Sequence, residues 1–488
     1  MRILFVYPNV TRAKSPQLGI CSIAAIARQL GHECDLYDLT TIPEEEISAF
    51  RSKLESFTPD LLAVSCRSNE WTFINRLFHS VNVGDVLKVF GGPHATVAPE
   101  EVIQIADVVV LGEGEETFSE LLKTIACEND IANIAGCWVK QGSRIIKNEM
   151  RNLISDLNNL PIPYWGLFDD VHYYDSYIIK LFEGSKVVGT FESNRGCPYA
   201  CTYCTNDYVR KLYKGKGNWR REKSPERIVQ EVRLFRDEYG LDSVYWVDEV
   251  MLTSIDRLKA FRDLYSSDIG VPFVFMERPE NMTDEKVCII KNAGAQMVSI
   301  GIESGDENLR RDALNRHHSQ QAIISAFRVA KKYGLTTHAF TMVGLPDEDR
   351  HSVKETFKLL QEAQPDTIQV STFYPLRGTK LYEKVVAEGL FDPKMTMPAT
   401  YYGESSLSIS KKRGKELLRN RYLLRNFNSV RLCLLLPIQR SELFFLIYCK
   451  LRAEGFFGLL KAVSQRIFND VAKPLHFKRN CTVNSEKR

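Results

Sequence analysis

The sequence predicts an α/β protein built in two successive parts. The first is a doubly wound, Rossmann-like parallel sheet over residues 1–125; the second is a partial, TIM-like (β/α)6 barrel over residues 186–390. Three observations predict it. Apolar strand-like runs alternate with amphipathic helical spacing through both parts, the pattern of parallel sheets. Glycines cluster where strands run out, at Gly91-Gly92 and Gly112-Glu113-Gly114. A loop with three cysteines, Cys197, Cys201 and Cys204, follows the apolar run at 187–191. Residues 126–185 join the parts as a hairpin and a Pro-containing linker, and residues 391–488 form a small, basic, mostly helical C-terminal region.

In the first part, strands are expected at 2–7, 33–37, 61–65, 88–90 and 106–110. Helices are expected at 18–30 (ending at Gly31), 44–57 and 72–81, and another from Phe118. Ligands of such sheets bind beyond the carboxyl ends of the strands. No Gly-x-Gly-x-x-Gly follows the first strand, which disfavours a dinucleotide. Glycine turns at strand ends serve either tight turns or close approach of a ligand. In the linker, 135–139 and 144–147 read as a hairpin, and 156–163 as an extended segment. The aromatic residues Tyr164, Trp165, Tyr173, Tyr174 and Tyr177 follow, and ordinary packing is the favoured reading over a substrate cavity.

The second part repeats a strand–helix unit, with strands near 187–191, 243–247, 272–276, 297–302, 336–342 and 367–373. Helices at 225–239 and 284–293 are the clearest; the first is capped by Ser224 with Pro225 at its first position. Barrels of this kind carry their chemistry on the C-terminal rim.

Composition is that of a globular chain, 44% hydrophobic and 26% charged. The twelve cysteines are scattered apart from the one cluster, which argues against a disulfide framework and for a reducing, cytoplasmic setting. Net charge is +3, yet residues 411–488 hold 18 Lys and Arg against 5 Asp and Glu, about +13, leaving about −10 elsewhere. The apolar runs at 432–438 and 443–449 are too short to span a bilayer. A helical region capping the barrel is the first reading of this tail, and peripheral contact with anionic lipid at the inner membrane face the second. No nucleic-acid module accompanies the charge, so no nucleic acid is expected.

Three thiolates at C-x-x-x-C-x-x-C are one short of a structural zinc site, and no second C-x-x-C pair follows. Iron–sulfur cubanes normally take four thiolates. Three leave one iron open for a substrate. A zinc site completed from a distance is the alternative.

The string Arg195-Gly196-Cys197-Pro198-Tyr199-Ala200-Cys201-Thr202-Tyr203-Cys204 resembles the signature of the radical S-adenosylmethionine (SAM) superfamily. The resemblance implies a 4Fe-4S cluster on Cys197, Cys201 and Cys204, with SAM chelating the open iron and Tyr203 near its adenine. Downstream segments fit the same family and imply SAM contacts at Asp248 and Glu249, Arg278, Glu303 and Ser304 (in Gly301-Ile302-Glu303-Ser304-Gly305), and Gly344 (in Gly344-Leu345-Pro346). Residues 373–382 resemble the family's closing segment, with Leu376-Arg377 where Pro is common.

The strings 90–96 and 107–115 resemble the N-terminal cobalamin-binding domain found in one branch of that superfamily, the class B methylases and anaerobic magnesium-protoporphyrin monomethyl ester cyclases. They imply cobalamin contacts at Gly91, Gly92, Pro93, Gly112, Glu113 and Gly114. The Asp-x-His-x-x-Gly motif of many cobalamin proteins is absent, and His32 is a poor axial ligand. The implied activity is reductive cleavage of SAM to a 5′-deoxyadenosyl radical, used for cobalamin-dependent C-methylation of an unactivated carbon. Cyclisation or rearrangement, with or without cobalamin, is the alternative. A non-catalytic iron–sulfur sensing protein is a third reading, against which the polar strand-end set argues. The implied partners are a small-molecule substrate (lipid, isoprenoid or tetrapyrrole) and a flavodoxin- or ferredoxin-type reductant.

Overall fold

The computed structural model describes residues 1–42, 45–182, 184–395 and 397–425. Expectations for residues 426–488 lie outside these. The first part comprises, in chain order, β1 (Arg2–Tyr7), α1 (Leu18–Gln29), β2 (Glu33–Asp38), α2 (Glu46–Phe57), β3 (Leu61–Ser65), α3 (Trp71–Ser80), β4 (Leu87–Gly91), α4 (Gly92–Val97), α5 (Pro99–Val102), β5 (Val108–Val110) and α6 (Glu115–Ala126). The sheet runs β2-β1-β3-β4-β5, all parallel. Its strands read as near-continuous apolar runs because helices cover both faces: Ile3, Leu4, Val6, Leu62 and Phe90 are fully buried. Strand order reverses between β1 and β3, so their carboxyl ends diverge into a crevice.

Two features differ from expectation. The hairpin β6 (Cys137–Gln141) and β7 (Arg144–Lys147) does not stand in the linker. β6 pairs antiparallel with β5, extending the first sheet to seven strands. Helix α6 begins at Glu115 rather than Phe118, with Glu115 and Glu116 in its first turn, where carboxylates meet the positive end of the helix dipole.

The second part comprises α7 (Val171–Tyr174), β8 (Val188–Phe191), β9 (Asn194–Arg195), α8 (Thr205–Leu212), β10 (Arg221–Glu222), α9 (Pro225–Tyr239), β11 (Ser243–Trp246), α10 (Ile255–Asp268), β12 (Phe273–Glu277), α11 (Asp284–Ala293), β13 (Ala295–Glu303), α12 (Gln320–Lys332), β14 (Thr336–Val343), α13 (Arg350–Ala363), β15 (Thr367–Thr372), α14 (Lys380–Ala387) and α15 (Lys411–Arg425). Its six-stranded sheet runs β8-β11-β12-β13-β14-β15, sequential and wholly parallel, which makes the open barrel. Local chemistry sets the helix starts. Ser224, Ser254, Thr283, Ser319, Asp349 and Thr379 each accept a hydrogen bond from the amide three residues on. Each such cap stabilises a helix by about 1 kcal/mol.

Of the linker aromatics, Trp165 and Tyr173 pack as expected, whereas Tyr174 is exposed. Trp165 meets Phe191 and Phe235 edge-on, and Tyr173 packs on Phe235 and Tyr239. They tie the linker to α9. At the far edge, Thr372 donates its amide to the Tyr401 carbonyl at 2.7 Å and its hydroxyl to the Gly403 carbonyl at 2.9 Å. Helix α15 then covers the ends of β14 and β15, its Leu417 so close over Gly344 that a Cβ there would overlap it. Among the described residues no helix is long and apolar enough to cross a membrane.

Beneath α15, the Glu348 carboxylate accepts the Gly344 amide at 2.7 Å, and burial pushes it up to about 7. An unfolded Glu titrates near 4.3, so the folded state holds this proton more tightly. The group's ionisation therefore removes stability as pH rises from about 4 to about 7. Glu348→Gln keeps the acceptor and removes the charge. Thermal unfolding should find the variant more stable than the parent at pH 8 and equal to it near pH 4; a lower melting temperature at pH 8 would refute this.

Candidate functional site

The cysteine loop leaves the barrel through β9, which pairs antiparallel with β10 (Arg195 opposite Arg221). Gly196 follows at φ +90°, and any Cβ there would overlap the Trp219 carbonyl, so the turn admits only glycine. Backbone contacts hold the rest of the loop. The Trp219 indole donates to the Cys197 carbonyl at 2.8 Å, and Asn315 Nδ2 to the Ala200 carbonyl at 2.7 Å. Thr202 donates its amide to the Leu314 carbonyl at 3.2 Å, while its own carbonyl accepts the Leu381 amide at 3.0 Å. Helix α8 starts directly after Cys204.

Cys201 is buried; Cys197 and Cys204 are half-buried. Burial raises the Cys197 thiol and pushes Cys204 up to about 12. The other thiols and Glu249 add to the rise at both. Bare thiolates at Cys197 and Cys204 are thus disfavoured, and metal coordination is what makes such thiols ionise. Among the described residues no three His, Cys, Asp or Glu side chains are placed to hold a single metal ion.

A charged wall stands beside Cys201. Arg278, at the end of β12, puts Nη1 at 3.1 Å from the Cys201 sulfur and stacks over the Tyr199 ring at 3.7 Å. Glu280 holds the other edge of its guanidinium, and His318 contacts Glu280 at 3.2 Å. Arg316 donates to the Tyr203 hydroxyl at 3.1 Å and the Gly301 carbonyl at 2.5 Å, and pairs with Glu303 at 3.5 Å. Glu303 sits at φ +66° where the β13–β14 register shifts. Such a bulge re-aims a side chain. A Cβ at Gly301 would stand 2.7 Å from the Glu303 carboxylate, so this glycine clears space for it. The buried Arg316 Nε has no hydrogen-bond partner. A half-buried carboxylate beside a guanidinium with an orphaned donor fits the ammonium and carboxylate of an amino-acid-type ligand such as SAM.

Several residues expected to touch SAM are placed otherwise. Asp248 presents no free carboxylate. It is buried, accepts the Ser193 and Asn194 amides at 2.7–3.1 Å, and is pushed up to about 7 by that burial. It positions the segment leading to the cysteines. The Arg278 guanidinium is already engaged by Glu280, Tyr199 and Cys201, so it does not present a free fork to a carboxylate. Ser304 is buried and its hydroxyl accepts the Asp306 amide. Gly305 lies against the α13 backbone at Thr356, where a Cβ would overlap; its lack of a side chain serves helix packing. Gly344 lies under Leu417. Glu249 is exposed, accepts from Asn206 at 3.0 Å and faces the Cys197 and Cys204 side of the loop. Tyr203 lies in the wall itself. Glu280, Arg316 and His318 carry no sequence signature of their own; only a run of charge and histidine at 315–318 hints at them.

The crevice between β1 and β3 opens into a cavity of about 320 Å³ at the carboxyl ends of the first sheet. Phe5, Leu18, Ile23, Val64, Val89 and Phe118 give it apolar walls, and Gly91, Gly92, Gly112, Glu113 and Gly114 line its rim. Pro93 is exposed in the first turn of α4 and does not line it. His32 lies at the start of β2, the opposite edge of the sheet, against the N-terminal amine. The apolar cavity with glycines at its mouth fits part of a large, flat cofactor such as a corrinoid.

The barrel supplies the remaining wall, through Glu192 and Arg195. Arg195 pairs with Glu115 at 2.7 Å and Glu192 at 2.9 Å. Arg221 clasps both Glu113 oxygens at 2.9 and 2.5 Å, and Tyr213 accepts the Glu113 amide at 2.7 Å. The Glu113 carboxylate therefore serves the barrel. Gly112 lacks a side chain because Tyr213 fills that space.

Comparison with known proteins agrees with this division. The profile of the Radical SAM superfamily matches residues 191–360, and that of the B12 binding domain residues 9–122. An uncharacterized methyltransferase of Pyrococcus horikoshii is 26% identical over 406 residues, covering 80% of this chain and 84% of the relative. An anaerobic magnesium-protoporphyrin IX monomethyl ester cyclase of Rubrivivax gelatinosus is 23% identical, covering 79% and 70%. Among solved structures, the cobalamin-dependent SAM radical enzyme OxsB, with aqua-cobalamin and SAM bound, superposes with a TM-score of 0.68. It is 16% identical and covers 97% of this chain and 75% of its own.

Proposed function

We propose that this chain, a member of the radical SAM superfamily with a B12-binding domain, is an enzyme that transfers a methyl group to an unactivated carbon of a small molecule. One observation carries the reading: Arg195, the residue two before Cys197, also forms a wall of the apolar cavity in the B12-binding domain. The two cofactor regions therefore adjoin one active space. When bound, a 4Fe-4S cluster, SAM and cobalamin supply reductive radical generation and methyl transfer.

The residues of the chain bind and orient. Cys197, Cys201 and Cys204 hold the cluster. Glu303 accepts hydrogen bonds from the ammonium of SAM, and Arg316 holds its carboxylate through the one donor that no protein group uses, Nε. Tyr203 shields the adenine side, and Glu249 balances charge at the mouth of the cysteine loop. Gly91 and Gly92 let the corrinoid approach the strand ends. The methyltransferase relative supports methyl transfer. The cyclase relative supports a second reading, ring closure on a tetrapyrrole, over the same three cofactors.

Anaerobic reconstitution with iron, sulfide and cobalamin tests the proposal. Bound corrinoid, with both 5′-deoxyadenosine and S-adenosylhomocysteine formed from SAM under reduction, is the expected result. 5′-Deoxyadenosine without S-adenosylhomocysteine would favour ring closure. A cluster without bound corrinoid would remove methyl transfer and leave the first domain as a scaffold.

A further inference from the structure

The three cysteine sulfurs have unequal surroundings. Cys197 and Cys204 receive neutral backbone amides, from Tyr199 and Asn206, and both feel the negative Glu249; Cys197 feels the Arg278 charge through space, without a hydrogen bond from it. Cys201 faces two guanidinium groups, Arg278 Nη1 at 3.1 Å and Arg316 Nη1 at 3.8 Å. We propose that Arg278, seconded by Arg316, sets the reduction potential of the cluster by donating a charged hydrogen bond to the Cys201 sulfur. This rests on the reading that Cys197, Cys201 and Cys204 hold a 4Fe-4S cluster.

The geometry separates this role from simple support of the loop. The Arg278 side chain is 8% exposed and held on three sides. Its plane lies on the Tyr199 ring. Its Nε and Nη2 are taken by Glu280 at 3.3 and 2.6 Å. His318 braces this arrangement, 3.2 Å from Glu280 and 3.5 Å from Arg278. The remaining nitrogen, Nη1, is left at the sulfur. An arginine needed only to brace the loop would find carbonyls there, as Arg316 finds Gly301 and Arg310 finds Ser304. The guanidinium also lies between the sulfur and Glu280, so the cation is the nearer charge and the carboxylate partly offsets it from behind.

The sign follows from charge. One electron from an external donor reduces the cluster from the 2+ to the 1+ state. No bond breaks and no proton moves, because guanidinium groups stay protonated. The added negative charge spreads onto the ligating sulfurs, and charged N–H donors there stabilise the reduced state more than the oxidised one. Arg278 therefore raises the potential and Glu280 lowers it.

The test is a reductive titration of the reconstituted full chain with titanium(III) citrate and no SAM present, followed by electron paramagnetic resonance. Iron and sulfide content are measured in parallel. Arg278→Gln should shift the reduced-to-oxidised ratio about tenfold toward the oxidised cluster at a given potential, about 59 mV for one electron. Glu280→Gln should shift it the opposite way, and Arg278→Lys should recover part of the loss. Loss of packing alone predicts no such reversal of sign. If Arg278→Gln does not take up a cluster, Glu280→Gln decides: an upward shift upholds the inference and an unchanged potential overturns it. Coincident potentials in loaded variants overturn it, as does loss of cluster from both variants while the parent loads. Failure of the parent itself to load a cluster would remove the reading beneath the inference.

Discussion

Cys201→Ala abolishes reductive cleavage of SAM, with 5′-deoxyadenosine formation falling by at least ~10³, a barrier increase of about 4 kcal/mol or more. The three cysteines lie on one short loop, and no fourth thiol stands near enough in sequence to replace any of them. A cubane with only two protein thiolates has lost half its usual ligands. The fold should survive the change. Cys201 contributes a small side chain, while the loop is held by the backbone bonds from Thr202 to Leu314 and Leu381 and by the side chains of Trp219 and Asn315. Circular dichroism and melting temperature should stay near those of the parent while iron content and the visible absorbance of the cluster collapse. The uncompensated partner is Arg278, which would then face an empty space with one guanidinium edge. A modest loss of stability is expected there, and Cys197→Ala, whose sulfur accepts no guanidinium hydrogen bond, should show less of it. Retained 5′-deoxyadenosine formation in either variant would move the cluster elsewhere in the chain.

The architecture was legible in the sequence wherever local and global signals agreed. Helices over 225–239 and 284–293 begin and end where their caps say, because Ser224 and Thr283 satisfy orphan amides and Gly240 and Gly294 close them. All six barrel strands fall where apolar runs meet turn residues. The hairpin at 137–147 was legible as a hairpin, yet its membership of the first sheet was not. Pairing of β6 with β5 is a long-range choice, and alternation within a strand does not name its neighbour.

At the site, the cysteines stood out by their spacing and Glu303 by the resemblance of Gly301-Ile302-Glu303-Ser304-Gly305 to a segment of the radical SAM superfamily. The resemblance implies SAM contacts at Asp248 and Ser304, but here backbone amides already use their oxygens, which only the folded loops reveal. Arg316, Glu280 and His318 were not legible, since they act from loops whose route into the rim is set by packing alone. The same holds for Glu113. Its Gly-Glu-Gly setting suggests a ligand turn, and only the fold brings Arg221, distant in sequence, to its carboxylate.

That Glu113–Arg221 pair carries the other large expected effect, and the two partners should not be equivalent. The Arg221 side chain is 4% exposed, whereas Glu113 is 19% exposed and has a second cation, Arg195, at 3.8 Å. Arg221 also donates to the Ile154 carbonyl at 2.8 Å, and its Nε is buried without a partner. Removing one partner of a buried pair leaves the other charge uncompensated, at a cost of about 3–5 kcal/mol. Glu113→Ala strands the more deeply buried charge, while Arg221→Ala leaves a carboxylate that still has Arg195 and some water. Glu113→Ala should therefore lower the melting temperature more than Arg221→Ala. The double variant Glu113→Gln/Arg221→Met, which buries no net charge, should recover part of the loss. Corrinoid binding supplies a second readout, because Glu113 joins the cavity rim of the first sheet to β10 beside the cysteine loop. Glu113→Ala should reduce bound cobalamin per chain several-fold while iron per chain changes little, since the cysteines keep their own backbone supports. A larger loss of stability in Arg221→Ala, or parallel loss of iron and cobalamin in both, would instead make the pair part of the support of the cysteine loop, with no separate part in joining the two cofactor regions.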